Sequence, residues 1–143
     1  MSERGVTLQV GVKVLLKNGE GRYLTLRRSL EAYPEVSGRW DIVGGRIDPG
    51  TPLLENLTRE VREETGLTIV GTPRLIAAQD ITPTPDRHII RLTYAGEAND
   101  GPLILDTEEN DDYRWLTKEE LKNLEDIDVY LKELIEQQGD ELF

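Results

Sequence analysis

Residues 7–16, TLQVGVKVLL, carry Val10, Val12, Val14 and Leu16 at every second position, the spacing of a strand with one buried face. KNGEGR then turns the chain, with Asn18-Gly19 as a hairpin signal, and YLTLRR at 23–28 supplies the returning strand. Residues 29–38 read as a loop, and RWDIV at 39–43 as a short strand running into Gly44 and Gly45. The period then changes: Leu54, Leu57 and Val61 form a narrow stripe at helical spacing. Thr51 as N-cap, Pro52 at the first helical position and Gly66 just past the end bound a helix over about 52–65. RLIAAQDI at 74–81 and RHIIRLTYAG at 87–96 predict two more strands around a TPTPD loop, and PLIL at 102–105 a third. Thr117 and Glu120 form a capping box that opens a short helix. A last amphipathic helix, about 126–138, carries Ile127, Val129, Tyr130, Leu131, Leu134 and Ile135. Strands and helices interleave without a regular βαβ rhythm, which predicts an α/β fold with a mixed sheet covered by helices.

Composition narrows what this fold serves. The chain has 143 residues, 37% of them hydrophobic, enough for one domain over 1–143 with an ordinary core. No apolar run approaches the roughly 18 residues of a membrane span, and MSERGVTLQV lacks the apolar centre of a signal peptide, so the expected location is cytoplasmic and free of membrane. Cysteine is absent, which removes disulfides, thiolate metal sites and cysteine nucleophiles together. A net charge of −11 argues against nucleic acid as a partner and leaves a small molecule, bound by a monomer or homodimer, as the expected one. Most of the excess acid, including DTEENDD at 106–112, reads as solvated surface.

The stretch GGRIDPGTPLLENLTREVREETGL at 44–67 is different. At about 100° per residue, Glu60, Glu63 and Glu64 share an arc of about 100° on one helix. Like charges at i,i+4 cost about 0.2–0.5 kcal/mol per pair, so the cluster needs compensation. A solvated helix face would carry the same residues. Two features point away from it: glycines precede the helix at a distance suited to a loop folding back on it, and the carboxylates border the apolar stripe instead of opposing it. Three oxygen donors beside a glycine loop suit a hard divalent cation, Mg²⁺ first, and such an ion implies a phosphate-bearing ligand and an activated water. Arg59, four residues before Glu63, stands where it would orient a carboxylate.

This stretch resembles the Nudix box, G-x5-E-x7-R-E-U-x-E-E-x-G-U with U aliphatic, aligned on Gly45, Thr51, Arg59, Glu60, Val61, Glu63, Glu64, Gly66 and Leu67. Eight of the nine positions match. GRWDIVGG resembles the family's G-x-W-x-x-P-G-G approach, and ENDDYRWLTKEEL its acidic-Trp-helix ending. The resemblance implies a Nudix fold, an α/β/α sandwich with a central mixed sheet, and hydrolysis of a nucleoside diphosphate linked to another group. It places Mg²⁺ or Mn²⁺ on Glu60, Glu63 and Glu64 with the Gly44 carbonyl, makes Arg59 their orienter, and points to Glu109 as the acidic ligand or base from a late loop. Arg28 and Arg46 are candidates for substrate phosphates. Nucleoside triphosphates are the first expectation for substrate. The alternatives are ADP-ribose, prompted by Pro83 sixteen residues past Leu67, or a nucleotide sugar as substrate, and a nucleotide-binding module without catalysis. His88, Trp40 and Trp115 read as structural residues. Three positions depart from the pattern: Thr51 for the box's first glutamate, Val43 for proline, and Asp48 where glutamate is commoner.

Overall fold

A computed structural model describes residues 5–36 and 38–143. Residues 1–4 of the N-terminal stretch and Ser37 of the 29–38 loop lie outside the described residues. Strand β1 (Thr7–Lys17) runs parallel to β6 (Arg87–Ala98) over its whole length, from Thr7 opposite Arg87 to Lys17 opposite Glu97. β6 in turn pairs antiparallel with β5 (Ile69–Thr84), which is longer than the sequence indicates and absorbs Gly71 and Pro73 in a register shift between Val70 and Arg74. β2 (Tyr23–Arg28) meets β1 only at the hairpin end, Lys17 opposite Tyr23. That turn is wider than an Asn-Gly hairpin: the Asn18 side chain accepts from the N–H groups of Glu20 and Arg22, and the positive φ falls at Gly21.

Beyond the hairpin β1 and β2 diverge, and residues 40–46 occupy the opening. β3 (Trp40–Asp41) pairs with β2, and β4 (Val43–Arg46) pairs with β1, Val14 opposite Val43 and Gly11 opposite Arg46. This crossing delivers Gly44 and Gly45 to the helix above and Asp41 to the opposite face. β7 (Asn110–Leu116) completes the seven-stranded mixed sheet along the other edge of β2.

The period-two alternation of β1 sorts the core into two layers. Val12, Val14 and Leu16 face α1 (Leu53–Thr65), where Leu57 and Val61 are fully buried. Leu15 and Ile42 face α2 (Lys118–Lys122) and α3 (Val129–Gln138), joined by Leu121, Leu131 and Leu134, with a short 3₁₀ turn at Gly139–Leu142. The result is an α/β/α sandwich. The capping box of Thr117 and Glu120 is present, and Gly66 ends α1 in the left-handed conformation with its N–H on the Arg62 carbonyl.

Four sequence expectations are corrected. Thr51 does not cap α1: Pro52 precedes the first helical residue and no side chain caps that end. Leu54 is partly exposed, and Leu53 packs on the core instead. Residues 102–105 are not a strand; the Ile104 and Asp106 N–H groups take up the Thr65 and Glu64 carbonyls at the end of α1, leaving Ile104 outward and Leu103 and Leu105 on the core. The last helix begins at Val129, because Asp128 caps it by accepting from the N–H groups of Tyr130 and Leu131.

Candidate active site

The splay between β1 and β2 opens a cleft of about 480 Å³. Gly44, Gly45, Glu60 and Glu64 form one wall, Glu109 and Asn110 enter from the start of β7, and Lys13, Arg28, Arg46 and Arg91 line it with positive charge.

The acidic wall depends on the absence of side chains at the glycines. Glu64 is only 7% exposed, and its Oε2 accepts from the Gly44 N–H at 3.1 Å. Gly44 has a φ of +150°, and a Cβ there would collide with the Val12 carbonyl; a Cβ at Gly45 would stand 2.9 Å from the Glu60 carboxylate. Burial pushes Glu64 up to about 7, opposed by Lys13 and reinforced by Glu60 and Glu109. Glu60 is also raised, first by burial, with Arg59 opposing and Glu63 and Glu109 adding. One buried and one half-buried carboxylate, Glu64 and Glu60, thus face the cleft with incomplete counter-charge.

Glu63 behaves differently. It is more than half exposed, lies outside the cleft lining, and pairs with Arg59 at 3.4 Å. Arg59 also reaches Asp48 at 3.2 Å and Glu60 at 3.5 Å, so it links all the carboxylates of this helix face except Glu64. Among the described residues no three His, Cys, Asp or Glu side chains are grouped as a ready ligand set for a metal. Glu60 and Glu64 nonetheless fit a hard cation: both are oxygen donors, burial raises the pKa of both, Glu64 more deeply than Glu60, and the glycines leave space beside them.

Opposite them lies a buried ion network that the sequence reading missed. Asp41 receives Arg91 through both oxygens, Nη2 at 2.9 Å and Nη1 at 3.2 Å, with Lys13 at 3.2 Å and Arg28 on the second oxygen. Asp128, the cap of α3, takes Arg28 at 3.0 Å and Arg91 at 3.1 Å. Burial alone would raise Asp41, yet Arg91, Lys13 and Arg28 together hold it well below the usual carboxylate range. The backbone delivers Asp128 through the Trp40–Ile127 bridge, with the Asp128 N–H on the Trp40 carbonyl at 2.7 Å. The signal was present as Asp41 and Arg91 inside apolar strands, and as Lys13 on the polar side of β1; that polar side is the cleft.

The candidate residues therefore divide. Glu60, Glu64, Gly44, Glu109, Arg28 and Arg46 meet in the cleft, whereas Glu63 and Arg59 lie outside its lining. Arg28 is no free arm at a strand end, since its guanidinium is held by Asp41, Asp128 and the Gly38 carbonyl. Arg46 is exposed. Glu109 is brought in because the Asp106 N–H binds the Glu64 carbonyl and the Asn110 N–H binds the Asp106 carbonyl. His88 pairs with Asp80 at 2.7 Å outside the cleft, and Pro83 is exposed and away from its lining.

A curled mixed sheet between helices, with a glycine loop against an acidic helix face, defines a class, and comparison with known proteins agrees with it. A family model described as NUDIX domain matches residues 7–138. The chain is 32% identical over 140 residues to nucleoside triphosphatase NudI of Salmonella heidelberg, covering 87% of this chain and 92% of that one. It is 33% identical over 117 residues to the NAD-capped RNA hydrolase NudC of Stutzerimonas stutzeri, covering 80% of this chain and 40% of that protein. The crystal structure of a MutT protein from Methanosarcina mazei Go1 superposes with a TM-score of 0.78 at 26% identity, covering 96% of each chain. The chain belongs to the NUDIX family and is a MutT-like Nudix hydrolase, a pyrophosphohydrolase of a family that generally uses divalent metals. Among the described residues no helix is long and apolar enough to cross a membrane.

Proposed function

We propose that the protein hydrolyses nucleoside triphosphates to a nucleoside monophosphate and pyrophosphate, with Mg²⁺ or Mn²⁺ held at Glu60 and Glu64, Glu63 joining from outside the cleft lining and the Gly44 carbonyl adding an oxygen. The observation that carries this reading is one cleft that brings Glu64, buried, and Glu60, half-buried, with incomplete counter-charge, together with exposed Arg46 and with Lys13, Arg28 and Arg91, which Asp41 and Asp128 hold in place. A divalent ion supplies Lewis acidity toward phosphoryl oxygens. The chain's own residues do the rest. Arg46, exposed at the mouth, binds phosphate oxygens, and Glu109, which lines the cleft, takes a proton from the attacking water. Arg59 restrains Glu60 and Glu63, while the Asp41–Arg91–Asp128 network keeps Lys13 and Arg28 in place beneath the triphosphate. The similarity to nucleoside triphosphatase NudI supports triphosphates ahead of ADP-ribose.

A substrate panel tests this: the eight common ribo- and deoxyribonucleoside triphosphates and ADP-ribose, each with Mg²⁺ and with Mn²⁺, with products resolved by ³¹P NMR. Monophosphate and pyrophosphate from at least one triphosphate, at a kcat/KM above that for ADP-ribose, is the expected result. Preference for ADP-ribose would replace the substrate assignment.

A further inference from the structure

Asn56 is fully buried on α1, within a motif position that the box leaves open, and both ends of its amide are used. Its Oδ1 accepts from the Asp48 N–H and from Arg59 Nη2, each at 3.0 Å; its Nδ2 donates to the carbonyls of Thr51 and Pro52, each at 2.9 Å. The start of α1 has no side-chain cap, because Pro52 stands at the cap position and has no side-chain acceptor. Asn56 ties the glycine loop to the helix from inside, through the Asp48 N–H and the Thr51 and Pro52 carbonyls. The bond from Arg59 to Asn56 is also the shortest that this guanidinium makes; those to Asp48, Glu60 and Glu63 run from 3.2 to 3.5 Å, and Glu63 and Asp48 are mostly exposed.

We propose that Asn56 is the positioning residue of the acidic face. It fixes Arg59, and through Arg59 the carboxylates of Glu60 and Glu63, while clamping the loop that carries Gly45 and Asp48 onto the helix. The inference rests on the reading of Glu60, Glu63 and Glu64 as the metal-holding set. The two halves of the amide do separable work: the oxygen serves Arg59 and the loop N–H, and the nitrogen serves only the backbone carbonyls at the helix start. Asn56→Asp keeps the oxygen and sets an acceptor against two carbonyls, so it sacrifices stability and retains positioning. Asn56→Ala removes both halves, and Asn56→Leu removes both while filling the space.

The test measures Mn²⁺ affinity from the EPR signal of the free ion, with kcat/KM and Tm, on folded wild type, Asn56→Ala, Asn56→Leu, Asn56→Asp and Glu60→Gln. Asn56→Ala and Asn56→Leu are expected to lose roughly 10–100-fold in Mn²⁺ affinity and in kcat/KM, the usual consequence of removing an outer partner of a ligand. Asn56→Asp is expected to stay within about threefold of wild type in both despite a lowered Tm, a separation that a purely structural residue would not produce. Wild-type affinity and turnover in Asn56→Ala and Asn56→Leu, with both lost in Glu60→Gln, would overturn the positioning role alone. Retention of both by Glu60→Gln would instead overturn the reading of the site. If the alanine and leucine variants do not fold, an Asn56→Asp protein as impaired as Glu60→Gln overturns the proposal, and one close to wild type supports it.

Discussion

Replacing Glu64 by glutamine should make the metal-free protein more stable while removing its turnover. The carboxylate is buried beside Glu60, and its pKa stands at about 7 against an ordinary 4.5. A group raised on folding contributes stability that is fully present below its unfolded value and is lost as pH climbs through the folded one. The native protein therefore carries a growing penalty between pH 4.5 and 7. That gap corresponds to about 3 kcal/mol at pH 8, falling to about 1 kcal/mol at pH 5. Glutamine is neutral throughout, fills the same space and still offers an oxygen to the Gly44 N–H. Thermal denaturation followed by circular dichroism in EDTA should then place Glu64→Gln about 10 °C above wild type at pH 8 and much closer at pH 5. Glu60, raised in the same direction, adds its own slope to both proteins, and its charge is part of what raises Glu64. A variant no more stable than wild type at pH 8, or one with the same advantage at pH 5, would refute the burial argument.

Further outcomes follow from the same geometry. Gly45→Ala should cut kcat/KM by about tenfold or more with a modest change in Tm, because its Cβ would press on the Glu60 carboxylate; paired kinetics and melting curves check this. Thr51→Ala should cost less than about 0.5 kcal/mol in urea denaturation, well under the loss of a working N-cap, since the threonine caps nothing. Asp41→Asn should cost about 3–5 kcal/mol in the same assay, because it leaves Arg91 buried without its main counter-charge.

The parts of the fold legible in the sequence were those written in local chemistry. β1 follows from alternation, β2 from the turn before it, β6 from its β-rich run past the TPTPD loop, the end of α1 from Gly66, and α2 from its capping box. β7 was hidden because it is an edge strand: Asp111 points outward to Arg27 and Arg39, so charge there costs little and masks the strand pattern. Leu103 and Leu105 misled in the opposite sense, being apolar for packing while their backbone serves the end of α1. The acidic wall could be read because Glu60, Glu63 and Glu64 are neighbours on one helix. The buried ion network around Arg28 could not, because Lys13, Arg28, Asp41, Arg91 and Asp128 come from five separate segments and meet only once β1 and β2 splay. Asn56 was passed over for the same reason, since its partners become partners only when the loop folds back.

The central claim is that hydrolysis is carried by the cleft-facing carboxylates of α1, and the rate of pyrophosphate release by Glu60→Gln measures it most directly. With the best triphosphate and saturating Mg²⁺, under single-turnover conditions, the variant should fall at least ~100-fold below wild type, close to 3 kcal/mol of transition-state stabilisation, while remaining folded. Release within about threefold of wild type would contradict the account.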